Sequence, residues 1–109
     1  EGPKTVLIRG LGPALSALGV EGSLATPKLE LHARVAGSDQ VLAGNLAWGG
    51  SPELVDVFHQ VGATPTLETT PDSKDTVLLV TLLPGVYTAV ISGANATTGV
   101  ALVEVYEVE

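Results

Sequence analysis

The 109-residue sequence predicts an all-β fold: an antiparallel, jelly-roll-like β-sandwich with one short helix in a crossover. Three observations lead there. Apolar runs of strand length, rich in Val, Leu, Ile and Thr, recur along the chain between turns drawn from 13 Gly and 7 Pro. The stretch "KLELHARV", residues 28–35, alternates strictly, with Leu29, Leu31, Ala33 and Val35 on one side and Lys28, Glu30, His32 and Arg34 on the other. No βαβ rhythm of roughly 30 residues is present, which argues against a doubly wound parallel sheet. One domain, residues 1–109, is long enough to bury a single aliphatic core without covalent staples.

The elements follow in order. "KTVLIR", residues 4–9, is β-branched and bounded by Gly-Pro before and Gly after, so it reads as a strand. Residues 12–19 have proline inside the start and glycine at the end, enough for one short turn of helix. The alternating strand at 28–35 leads through "AGSD" into "QVLAGNLAW", its hairpin partner. Ser51-Pro52-Glu53 then supplies an N-cap, a proline at the first helical position and an early acid. Leu54, Val55, Phe58 and Val61 recur at helical spacing, and Gly62 stands where a left-handed C-terminal residue belongs. Three strands close the chain: "TVLLVTL" at 76–82, "VYTAVIS" at 86–92 and "VALVEVYEV" at 100–108. A sandwich of about six to eight strands results.

Composition excludes several classes of function. There is no cysteine, hence no disulfide, no thiol chemistry and no zinc knuckle. Twelve acids against five scattered bases give a formal net charge of −7, a surface that repels phosphate backbones, so no nucleic-acid partner is expected. The apolar runs fall far short of the roughly 20 residues a spanning helix needs, so no membrane insertion is expected. The sequence starts at Glu1 and holds no methionine, which predicts processing from a longer precursor.

Chemistry-bearing motifs are sparse. His32 lies between Glu30 and Arg34 on the polar face of a strand and reads as a solvated cross-strand neighbour. His59 follows Asp56 by three residues, so both share a helix face, but two ligands do not make a metal site. No serine elbow of the G-x-S-x-G kind and no phosphate loop occurs; "RGLGPALSALG" lacks the G-K-[ST] ending. Asp72 and Asp75 sit in "TPDSKD", a composition in which Asp caps a turn. No cofactor is expected, and calcium on that oxygen-rich loop is the one cation for which the sequence leaves room. Asn95-Ala96-Thr97 is a formal glycosylation sequon in a surface loop. Trp48, beside Gly49 and Gly50, is either a plug for the end of the sandwich or a platform for stacking on a sugar.

Two segments carry a family likeness. "KTVLIRGLGPALSALGVEGSLATPKLELH" and "SKDTVLLVTLLPGVYTAVISGANATTGVALVEVYEV" together resemble a repeat module of large secreted bacterial proteins. The C-terminal half is also similar to bacterial pre-peptidase C-terminal β-sandwich domains, in which a Gly-x-Tyr-Thr strand and a Thr-Gly turn precede the last strand. The resemblance implies an extracellular or cell-surface location and a non-catalytic role, and supplies no catalytic residue. In such modules a further Gly-rich apolar strand precedes the one that begins here at Lys4.

"VLIRG" and the final strand are apolar on both faces, so each should be covered on both sides or lie within a sheet. Undefended edges invite pairing with another chain. The leading expectation is therefore a structural or adhesive module that pairs with copies of itself or with neighbouring repeats, up to a filament. Val6 and Ile8 at one end, and Val103 and Val105 at the other, would mark the pairing edges. The alternative is a carbohydrate- or surface-binding module appended to a secreted enzyme, with Trp48 stacking on the glycan. An enzyme is the least supported class.

Overall fold

The structure, a computed structural model, describes residues 2–64 and 67–109. Glu1, on which the expectation of a processed precursor rested, lies outside the described residues. Among these residues the chain forms six strands and two short α-helices. They are β1 (Lys4–Leu11), α1 (Pro13–Ala17), β2 (Pro27–Val35), β3 (Ser38–Asn45), α2 (Pro52–Val61), β4 (Thr76–Leu82), β5 (Tyr87–Gly93) and β6 (Leu102–Val108). A single 3₁₀ turn, Ala94–Ala96, separates the last two strands.

The strands make two three-stranded antiparallel sheets, ordered β4-β1-β6 and β3-β2-β5. The fold is thus the expected all-β sandwich, and after the β2–β3 hairpin the chain changes sheet with every strand, as in a jelly roll. β1 lies over β2, and β4 over β2 and β3, so β6 and β5 fall on the same open side of the sandwich.

Alternation along β1 explains why both of its faces are apolar. Val6 and Ile8 point to the second sheet, where Ile8 is buried with Leu29 and Leu31 and Val6 packs at the margin. Leu7 and Leu11 point the other way, into a core made with Leu15, Trp48, Phe58, Ala63, Leu67 and Val77. Helix α2 roofs that second core. The β4-β1-β6 sheet is therefore covered on one face by a helix and on the other by a sheet.

Local chemistry fixes the elements. In α2 the Ser51 hydroxyl accepts from the Leu54 amide, proline opens the helix, and Gly62 ends it at φ 71°. The β2–β3 turn is two residues, Ala36 and Gly37, at φ 51° and 83°, the primed geometry that matches strand twist. β3 begins two residues before the expected "QVLAGNLAW" and ends at Asn45, which releases Trp48 to turn inward. A bulge at Leu31/His32 interrupts its pairing with β2. The final strand starts at Leu102 because Val100 is taken by the 22–24 loop: its amide donates to Gly22 O, and its carbonyl accepts from Leu24 N. Gly10 faces the second sheet where Ile91 reaches across, and any Cβ there would collide with Thr76 Oγ1.

Candidate functional site

The four edge strands differ in how they are defended, and that difference marks the candidate site. β3 carries the bulge and an ionic cluster. His32 Nδ1 lies 2.7 Å from Asp39 Oδ2 and its Nε2 lies 3.0 Å from Glu30 Oε1, while Lys28 Nζ reaches Glu30 Oε2 at 3.3 Å. Carboxylates at both ring nitrogens require both to donate, so the geometry suits the imidazolium. The hydrogen bonds from Asp39 and then Glu30 accordingly raise the His32 pKa, and His32, followed by Lys28, lowers that of Glu30.

β4 is capped at its start. The Val77 amide donates to Asn45 Oδ1, and the Trp48 amide donates to the carbonyl of Asp75. These bonds tie β4 to the end of β3 and close that side of the sandwich.

β5 and β6 carry no comparable closure. No charged residue stands between Asp75 and Glu104, so β4, β5 and the start of β6 are uncharged throughout. The two glutamates of β6 are engaged within the sheet. Glu104 Oε1 accepts from Arg9 Nε at 2.9 Å and from Arg9 Nη2 at 2.6 Å, and Glu107 accepts from Lys4 Nζ at 3.3 Å. The edge is thus neutralised by its own neighbour β1. Val103 packs between the sheets, yet Val105, two residues on and on the same side, is 61% exposed, and Leu102 is 44% exposed. An inward-pointing valine with that much exposure has no strand opposite it.

The expected association residues therefore divide. β1 is the central strand of its sheet, hydrogen-bonded to β4 on one side and β6 on the other. Val6 and Ile8 are for that reason not edge residues, a correction of the sequence expectation. Their two-sided apolar character reflects coverage within the chain. Val103 and Val105 do lie on an edge.

Trp48 is also corrected as a stacking platform. It is buried, 4% exposed, with its ring 5.6 Å from that of Phe58 and its Nε1 donating to the carbonyl of Thr70. Of the two roles the sequence allowed, the structure places it in the core.

The remaining polar residues have structural partners. Asp75, fully buried, accepts from the amides of Gly12 and Ala14 through Oδ1 and from the Ser73 hydroxyl through Oδ2. It caps the start of α1 from a distant segment, and its oxygens are occupied by donors rather than presented to a cation. Asp72 is exposed. His59 faces Glu68 at 3.2 Å, Asp56 is exposed, and no group of three or more metal-ligating side chains occurs among the described residues. Asn95 is exposed at φ 55°, and the Thr97 hydroxyl donates to Ala94 O. An apolar cleft of about 420 Å³ opens between the start of β1 and the β4–β5 corner, lined by Val6, Leu82, Leu83, Pro84 and Tyr87. Its polar groups are partnered inside the chain, since Tyr87 OH donates to Leu83 O and Lys4 is held by Glu107.

Sequence reasoning missed Arg9 and Glu104. Arg9 is fully buried beneath α2, its guanidinium 5.2 Å from the centre of the Phe58 ring. The signal was available: Arg9 alternates with Leu7 and Leu11 on one face of an otherwise apolar strand. Beside the pair, burial first and the Glu104 charge next raise the Tyr106 pKa.

No family model, curated protein or solved structure matches the chain.

Proposed function

We propose that this chain is a non-catalytic structural module of the extracellular space that joins a like module by strand pairing at β6. The observation that carries the proposal is the state of that edge. β6 ends its sheet, its carboxylates are turned onto Arg9 and Lys4, and Val105 is 61% exposed although it faces the space between the sheets. A free edge with neither net charge nor proline nor bulge is a template for another strand, whose main chain supplies hydrogen bonds and whose alternate side chains fill the vacant space. The extracellular location rests on the resemblance of the sequence to modules of secreted bacterial proteins. A filament that continued this sheet from copy to copy would require β4, its other edge, to accept β6 of the next copy. Asn45 occupies the start of that edge, which favours a closed pair over an open chain of copies.

Light scattering after size exclusion, over a range of concentrations, tests the proposal. The expected outcome is a mass that rises above the 11.1 kDa monomer with concentration, and falls back to it when Val105→Lys places a desolvated charge on the edge. A monomer at every concentration ends the reading.

A further inference from the structure

We infer that the partner on β6 is a second copy of β6, paired antiparallel about a two-fold axis that passes through Val105. The inference rests on the proposed association and adds its partner strand, symmetry and register.

Two identical strands paired about an axis perpendicular to the sheet keep their faces, so residues facing the helix side must meet residues facing the helix side. Only registers centred on a residue satisfy this. A centre at Glu104 or at Glu107 sets a glutamate directly against its own copy, which is unfavourable. A centre at Tyr106 shortens the overlap of β6 to residues 104–108, and a centre at Val103 shortens it to 102–104. With the axis at Val105, the midpoint of Leu102–Val108, the whole strand is paired. Glu104 then lies opposite Tyr106 of the second copy, Glu107 opposite Val103, Leu102 opposite Val108, and Val105 meets itself. No like charges are opposed, and the most exposed valine of the strand becomes the centre of the contact.

The occupant is a copy of this strand for reasons of charge. Both β6 glutamates are already satisfied by β1 of their own chain, so neither calls for a basic partner. The strand needs an apolar, uncharged edge opposite it, and its own edge is of that kind. Nothing of the sort is offered by β3, with its bulge and ion cluster, or by the capped start of β4. β5 is also an uncharged edge, and self-crosslinking through position 105 separates a β6–β6 pair from a β6–β5 pair.

The chain contains no cysteine, so single introduced thiols report the register without background. Directly opposed residues in an antiparallel pair have Cα atoms roughly 4.5–5.5 Å apart, within disulfide reach. At this register position 105 alone faces itself, whereas two copies of position 103 lie about 13 Å apart, four residues at about 3.3 Å each. Val105 is exposed, so Val105→Cys leaves the core intact. Under mild oxidation Val105→Cys is expected to give a covalent dimer, Val103→Cys alone to remain monomeric on a denaturing gel, and a mixture of Val103→Cys with Glu107→Cys to crosslink. The Val105→Lys variant is expected to weaken association at least about tenfold. If the wild-type chain associates by light scattering and Val105→Lys abolishes it, but Val105→Cys fails to crosslink or Val103→Cys crosslinks to itself, the β6 pairing centred on Val105 is wrong while association through the β6 edge stands. If the wild-type chain stays monomeric, both fall together.

Discussion

Arg9 and Glu104 sit opposite one another on β1 and β6, joined by bonds of 2.9 and 2.6 Å, with the Arg9 side chain wholly buried and that of Glu104 19% exposed. This pair fastens the last strand to the first beneath the roof of α2. Removing one partner of a buried pair strands the other charge and costs about 3–5 kcal/mol. Arg9→Ala should lower unfolding stability by that amount, read from urea denaturation. Arg9→Met with Glu104→Leu together should restore most of it, because an apolar pair of similar volume needs no compensation. If the double variant is as unstable as the single one, the pair is not the fastening described.

Asp75 holds a second junction. Its Oδ1 takes the amides of Gly12 and Ala14, about sixty residues earlier in the chain. Asp75→Ala leaves both donors without a partner at the start of α1, and the expected loss is at least about 2 kcal/mol. Asp75→Asn keeps one acceptor oxygen for those amides and should cost clearly less. Equal losses for the two variants would place the effect in packing.

His32 makes stability depend on pH in a defined window. Its folded pKa is raised above the ordinary 6.5, so its contribution is complete below 6.5 and is lost as pH rises through the folded value. Glu30 is lowered from 4.5, so its contribution is present above 4.5 and is lost as pH falls through the folded value. The groups facing His32 are Glu30, Lys28 and Arg34 on its own strand and Asp39 on β3, while β5 presents Thr88. The melting temperature should be highest between about pH 4.5 and 6.5 and decline toward pH 8. His32→Gln should remove the upper decline and shrink the lower one, because His32 is the first cause of the lowered Glu30 pKa and only Lys28 remains. A wild-type curve that is flat from pH 5.5 to 8 contradicts the cluster.

Trp48 belongs to the core, so its removal should act on folding. Trp48→Ala is expected to cost about 3–5 kcal/mol in chemical denaturation. A stable, folded Trp48→Ala protein would show that the ring is not held where the structure puts it.

Local rules carried the sequence expectations furthest. β4 was legible to the residue, and α2 was legible at both ends, because Ser51, Pro52 and Gly62 act through bonds to their immediate neighbours. The two-sided apolar pattern of β1 correctly demanded cover on both faces. It did not say whether the cover belonged to the same chain, because β1's partners β4 and β6 lie some seventy and a hundred residues away. Hence Val6 and Ile8 were assigned to an edge that does not exist. For Trp48 the neighbouring glycines left both a plug and a platform open, because its burial depends on α2 folding back over the sheet. That Glu104 and Glu107 are neutralised is visible only once β6 is paired with β1, which sets them beside Arg9 and Lys4.

The placement of β1 between the most distant strands also governs when the protein can take shape. Its contacts with β6 link positions 103 residues apart at the Lys4–Glu107 pair, so the helix-roofed sheet cannot be completed until β6 itself has left the ribosome. Loop-closure entropy of that span makes assembly slow for a domain of this size, with Ile8 and Leu7 open to wrong partners in the interval.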